Sequence, residues 1–189
     1  TGMAKTATGG VILFIEALAM KGDGKVKLTG QLGDVMKESA EAAMSFVRSN
    51  MLGSGLDENF FEKHDIHLHI PAGAVPKDGP SAGIAIAAAL GSLATQRKLR
   101  NDTSMTGEIT LTGKVLPVGG VKDKVIAAHR AGIRRVILPA LNKKDLEGIP
   151  DEVKSEIDFI FIDRVSQGMD AALVRSVDKP SGNKARSKE

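Results

Sequence analysis

The sequence predicts an α/β fold of the α+β type, a single compact domain with mixed β-sheets and packed helices. Three observations carry this expectation. Short β-rich runs alternate with helical stretches along most of the chain. One helical stretch, Ser81 to Leu93, is apolar on every side and so belongs inside a core. With 189 residues the chain can bury a substantial core, and it shows no repeat and no clear internal boundary.

Gly10 to Ala19 is a β-rich apolar run, and Lys25 to Thr29 reads as a strand ended by Gly30. Asp34 caps an amphipathic helix reaching about Ser49, with Val35, Met36, Ala40, Ala43 and Val47 on its buried side. Ile66 to Ile70 is a strand, and alternation places His67 and His69 on one face of it. The helix from Ser81 to Leu93 has 13 residues and no charge, too short to cross a bilayer. Glu108 to Thr112 and Lys114 to Val118 form a hairpin around Gly113. Val121 to Ala131 is a helix opened by Gly119-Gly120 and closed by Gly132. A strand at Arg135 to Leu138, a short helix near Lys143, a strand at Phe159 to Ile162 and a last helix to Val174 complete the domain, residues 1–174.

Residues 175–189 read as a basic, disordered tail. Arg175, Lys179, Lys184, Arg186 and Lys188 outweigh Asp178 and Glu189, and Pro180, Ser181 and Gly182 interrupt any periodicity. This tail accounts for the whole formal charge of +3, so residues 1–174 are formally neutral and no DNA-binding surface is expected. The chain has no Cys, which excludes disulfides, a thiol nucleophile and Cys-based zinc sites. That composition is compatible with a reducing cytosol, and a cytoplasmic location is expected. No apolar run is long enough to span a membrane and no signal peptide is visible, so no membrane partner is expected. The chain opens Thr1-Gly2 rather than with Met, as an excised fragment of a longer protein would.

The chemistry concentrates on one serine and one lysine. Ser81 opens the buried helix, within Pro76-Lys77-Asp78-Gly79-Pro80-Ser81-Ala82-Gly83. A serine there serves as a helix cap, or as a nucleophile beside unpaired N–H groups at a positive dipole end. Those N–H groups, from Ser81 and Ala82, are candidate donors to an oxyanion, because Pro80 has none. At about 100° per residue, Val121, Val125 and Ala128 form the apolar stripe of their helix. Lys124 projects between Ala128 and Ala131, on the shoulder of that stripe, and Lys122 projects away beside His129. A lysine in that position either snorkels to water or stays neutral and accepts a proton from a serine.

Three ordered segments carry a resemblance. They are Asp78-Gly79-Pro80-Ser81-Ala82-Gly83, Met105-Thr106-Gly107-Glu108-Ile109, and Leu116-Pro117-Val118-Gly119-Gly120-Val121-Lys122-Asp123-Lys124. Together they closely resemble the peptidase domain of ATP-dependent Lon proteases, from Thr1-Gly2 to about Val174. The resemblance implies that Ser81 is the nucleophile, Lys124 the general base and Thr106 a supporting group that steadies the pair. It implies a serine endopeptidase acting on unfolded or damaged proteins through an acyl-enzyme, in a homo-oligomer built as a hexameric ring. It also implies ATP and Mg²⁺ in an ATPase module of the parent protein. No Gly-x-x-x-x-Gly-Lys-Ser/Thr motif occurs in this chain, so no cofactor is expected here.

Two alternatives come from other classes. Gly79-Pro80-Ser81-Ala82-Gly83 is loosely like a phosphate-cradling loop, as in a small-molecule kinase. A non-catalytic Lon-like scaffold would lack the Ser–Lys pair, which is present. His67-x-His69 has the spacing of two metal ligands but no third at convincing distance in sequence, so no metal is expected. A Ser-His-Asp triad using one of these histidines is a further option, against which the resemblance argues. Asp78 reads as a local cap or site-shaping group, and Glu108 as a turn carboxylate able to approach the site.

Overall fold

The computed structural model describes residues 1–51, 57, 59–71 and 77–174. Its centre is a five-stranded mixed sheet. The strands are β1 (Gly2–Thr6), β2 (Gly9–Leu13), β6 (Thr103–Met105), β9 (Arg135–Pro139) and β10 (Asp158–Ile162), in the order β10-β9-β6-β1-β2. All neighbours run parallel except β1 and β2, which are antiparallel and joined by a tight turn.

Alternation along these strands divides the core between two faces. Leu13, Met105, Ile137 and Ile162 point to one side, and Met3, Val136 and Leu138 to the other. The first side is covered by α3 (Gly83–Thr95), the apolar helix expected inside the core. Its Ile84, Ile86 and Leu90 are fully buried, each such burial being worth about 1.5–3 kcal/mol. The second side is covered by α4 (Val121–Arg130) through Val121, Val125 and Ala128.

Outside α3 lies α1 (Asp34–Met51), which packs Met36, Ala40, Ala43, Met44 and Val47 into the same core. Val35 does not belong to that side, being 43% exposed. It stands about 100° away from Met36 on the helix, off the stripe that the others share.

A three-stranded sheet continues the core, with β3 (Glu16–Lys21), β4 (Val26–Thr29) and β5 (His64–His69) in the order β3-β5-β4. The run from Gly10 to Ala19 is therefore two strands, divided between two sheets near the exposed Phe14. The remaining elements are α2 (Phe60–Lys63), the short antiparallel pair β7 (Glu108–Ile109) and β8 (Val115–Leu116), α5 (Asp151–Glu156) and α6 (Val165–Ala172). The helix near Lys143 is a 3₁₀ segment, Ala140–Leu146. The basic tail, residues 175–189, lies outside the described residues.

Among the described residues no helix is long and apolar enough to cross a membrane. None of their His, Asp and Glu side chains gathers in a group of three able to hold a metal ion.

Candidate active site

The site forms where β6 ends and the N-termini of α3 and α4 meet. Crevices beyond the carboxyl ends of parallel strands are where open α/β sheets hold their ligands. Ser81 does not begin α3 as its cap. It occupies a 3₁₀ turn, Pro80–Ala82, that precedes the helix, and no side-chain cap bond forms there. Gly79 enters the turn at φ 126°, a conformation that a side chain rarely adopts. No hydrogen bond outside the turn engages the N–H of Ser81 or Ala82 among the described residues.

Lys124 sits in the first turns of α4, and the angular reading of its position holds. It is 3% exposed, whereas Lys122 faces solvent on the same helix. Burial pushes the Lys124 amine down to about 8 from its ordinary 10.5. Its Nζ donates to Thr106 Oγ1 at 3.1 Å. The Thr106 hydroxyl in turn donates to the Ser81 carbonyl oxygen at 3.1 Å, and the Gly107 N–H donates to that oxygen at 2.9 Å. The fully buried Thr106 therefore bridges the lysine amine and the serine backbone. The Ser81 hydroxyl itself forms no hydrogen bond among the described residues, with Lys124 or otherwise.

Ser81 and Lys124 line one open cleft of about 400 Å³, together with Lys5, Asp78, Glu108 and the Pro117–Gly120 segment. A larger hollow of about 930 Å³ shares Lys5 and Pro117–Gly120 with it and is lined further by Leu141 and Lys144. Asn142 fixes the segment between them. Its Oδ1 accepts from the Val118 N–H at 2.9 Å and its Nδ2 donates to the Val118 carbonyl at 2.8 Å, as a neighbouring strand would. Lys5 also pairs with Asp123 at 3.0 Å, tying β1 to α4 beside Lys124.

Asp78 caps a helix, but not the one it precedes. Its Oδ1 accepts from the Met36 N–H at 3.0 Å, in the first turn of α1, and from the Gly79 N–H at 3.0 Å. Ser39 of α1 adds a bond to the Pro80 carbonyl at 3.3 Å. The serine turn is thus fastened to α1 on one side and to Thr106-Gly107 on the other. No local pattern announces either contact to α1, because the partners are 42 and 41 residues apart.

The two histidines lie elsewhere. His67 Nε2 and His69 Nδ1 both hydrogen-bond Thr29 Oγ1, at 2.8 and 2.7 Å. They line a hollow with Glu16, Ala17 and Leu18, and neither lines the Ser81 cleft. A triad through them has no support in this arrangement. Glu108 does reach the cleft.

One cleft at the starts of two helices thus holds a serine turn and a desolvated lysine. The sequence model of the Lon protease (S16) C-terminal proteolytic domain matches residues 1–175. The chain belongs to that family. A Lon protease of Syntrophus aciditrophicus is 59% identical over 92% of this chain. One of Anaeromyxobacter dehalogenans is 56% identical over 97%, and Lon protease 2 of Myxococcus xanthus is 59% identical over 92%. The chain spans 22%, 22% and 21% of these curated relatives, about a fifth of their length. The family match leaves the phosphate-binding alternative without support.

Proposed function

We propose that this proteolytic domain is a serine endopeptidase with Ser81 as nucleophile and Lys124 as general base. One observation carries the reading. Ser81 and the buried Lys124 line the same cleft, and the Thr106 hydroxyl touches both the lysine amine and the serine backbone. Thr106 acts as the supporting group.

Neutral Lys124 accepts the Ser81 proton while Oγ forms a bond to the peptide carbonyl carbon. For this, the Ser81 side chain turns into the cleft towards Nζ, which rests on Thr106. Catalytic hydrogen bonds that are long without substrate commonly tighten in its presence. The N–H groups of Ser81 and Ala82 receive the negative charge on the tetrahedral oxygen. Lys124 then returns the proton to the leaving amine as the C–N bond breaks. The same amine takes a proton from water as the water oxygen bonds the acyl carbon, and passes it to Ser81 Oγ as the C–Oγ bond breaks, leaving the free carboxyl product.

A second hollow beside the cleft, sharing Pro117–Gly120 with it and reaching Leu141, favours an extended polypeptide as substrate. Unfolded or damaged proteins, a hexameric ring and a cytoplasmic location belong to the same proposal on the strength of the resemblance. So do ATP and Mg²⁺, which we assign to another part of a longer Lon protease. These 189 residues contain no P-loop motif.

The test is cleavage by this chain alone. Unstructured peptides should be cut slowly, and folded proteins hardly at all, with or without ATP. ATP-stimulated degradation of a folded protein by these residues would contradict the assignment.

A further inference from the structure

Lys77 is a second buried lysine, and the proposed reaction does not use it. Its relative exposure is 6%. Among the described residues it forms no ion pair. Its Nζ instead donates to the Gly30 carbonyl oxygen at 2.7 Å. The backbone of Lys77 engages the same turn. Its N–H donates to Gln31 O at 3.1 Å, and the Gly33 N–H donates to Lys77 O at 2.8 Å. Leu32 and Lys77 form an isolated parallel bridge.

The 30–33 turn requires such fastening. Gly30 has φ 117° and Gln31 has φ 55°, the left-handed region that a non-glycine residue seldom occupies unless its surroundings hold it there. Gly30 also packs directly on Ile70, whose carbonyl oxygen would collide with an added Cβ. This turn delivers the chain into α1, whose Met36 and Ser39 contact Asp78 and Pro80. Lys77 lies four residues before Ser81. Its side chain therefore fastens the arm carrying the serine to the turn that sets the start of α1. An apolar side chain of equal length would fill the space and leave the Gly30 carbonyl without that partner.

We infer that Lys77 is a positioning residue for Ser81, its amine fixing the serine arm against the 30–33 turn. The inference rests on the reading of Ser81 as nucleophile. Misplacement of a reacting group by about 1 Å can cost on the order of 10²-fold in rate. Loss of the tie is therefore expected to lower kcat roughly ten- to hundred-fold, with little change in KM, since Lys77 does not line the Ser81 cleft.

The experiment uses a peptidyl β-lactone, which acylates a serine hydroxyl as the lactone carbonyl–oxygen bond opens. The labelled residue is first mapped by mass in the wild-type chain. Labelling elsewhere overturns the Ser81 reading and the Lys77 inference with it. With Ser81 labelled, Lys77→Met and Lys77→Arg are compared with wild type for labelling rate per folded molecule and for peptide kcat and KM. Lys77→Met should label Ser81 at least about ten-fold more slowly, with KM held. Lys77→Arg, which keeps donors but displaces them, should fall between. A wild-type labelling rate per folded molecule in Lys77→Met overturns the inference. If Lys77→Met does not fold, the comparison rests on Lys77→Arg, where a wild-type rate overturns the inference and a slower rate supports it.

Discussion

The pH at which Lys124 loses its proton should set the rate of the enzyme. Burial lowers that amine from 10.5 to about 8. At pH 7 about one molecule in ten then carries the neutral base, against about one in three thousand for an unperturbed lysine. If Lys124 is the base, as proposed, the site gains a factor of about 300 in neutral amine. For a single-base mechanism, kcat/KM for an unstructured fluorogenic peptide should rise about ten-fold per pH unit below about 8 and level off above it. The same shift has a stability side with a definite sign. The folded pKa lies below the unfolded one, so the unfolded chain binds more protons between about pH 8 and 10.5, and stability rises with pH across that window. At pH 7 the burial of a protonated Lys124 costs about 3 kcal/mol. Lys124→Met removes that cost and also the bond to Thr106, worth about 1 kcal/mol. It should be inactive yet more stable at pH 7 by about 2 kcal/mol, read as a raised denaturation midpoint. A rate limb near 10.5, a flat profile from pH 6.5 upward, or an active Lys124→Arg variant would rule out Lys124 as the base, because arginine keeps its proton at usable pH.

Other outcomes follow from the same contacts. Lys122→Ala should retain most peptidase activity, since that side chain faces solvent while Lys124 is buried in the cleft wall. Thr106→Val keeps the volume but removes the bridge between Lys124 and the Ser81 carbonyl; kcat should fall steeply and stability should drop by about 1–3 kcal/mol, measured by peptide turnover and urea melts. Asp78→Ala should uncap α1 and cost about 1 kcal/mol, visible as earlier melting and faster amide exchange at Met36, which donates its N–H to the carboxylate.

Much of this was legible from periodicity. The choice between Lys122 and Lys124 needed only the angle between them on one helix, and the structure buries the one beside Ala128. The uncharged, apolar composition from Ser81 to Leu93 places α3 in the core because it leaves no polar face. Some short elements were not legible. β1, β6, α2 and α5 lack the apolar runs that mark the equally short β9 and β10. Pro80 and Ser81 favour a helix start and a 3₁₀ turn alike, so sequence alone does not separate the two. The distinction lies in Gly79 at φ 126° and in the pull of Thr106 and Gly107 on the Ser81 carbonyl. Asp78 and Lys77 carry no local sign of their partners, which come from a turn and a helix more than forty residues away. Tertiary contacts of that span leave a trace only in three dimensions.

The proposed chemistry stands on Ser81 as the nucleophile. Mass mapping after exposure to a peptidyl β-lactone tests it most directly, with Ser81→Ala as the paired variant. A Ser81 nucleophile gives a single acyl adduct on Ser81, slow labelling below about pH 8, and neither adduct nor peptide cleavage in a folded Ser81→Ala chain. An adduct on another residue, or undiminished peptide cleavage by purified Ser81→Ala, would contradict it.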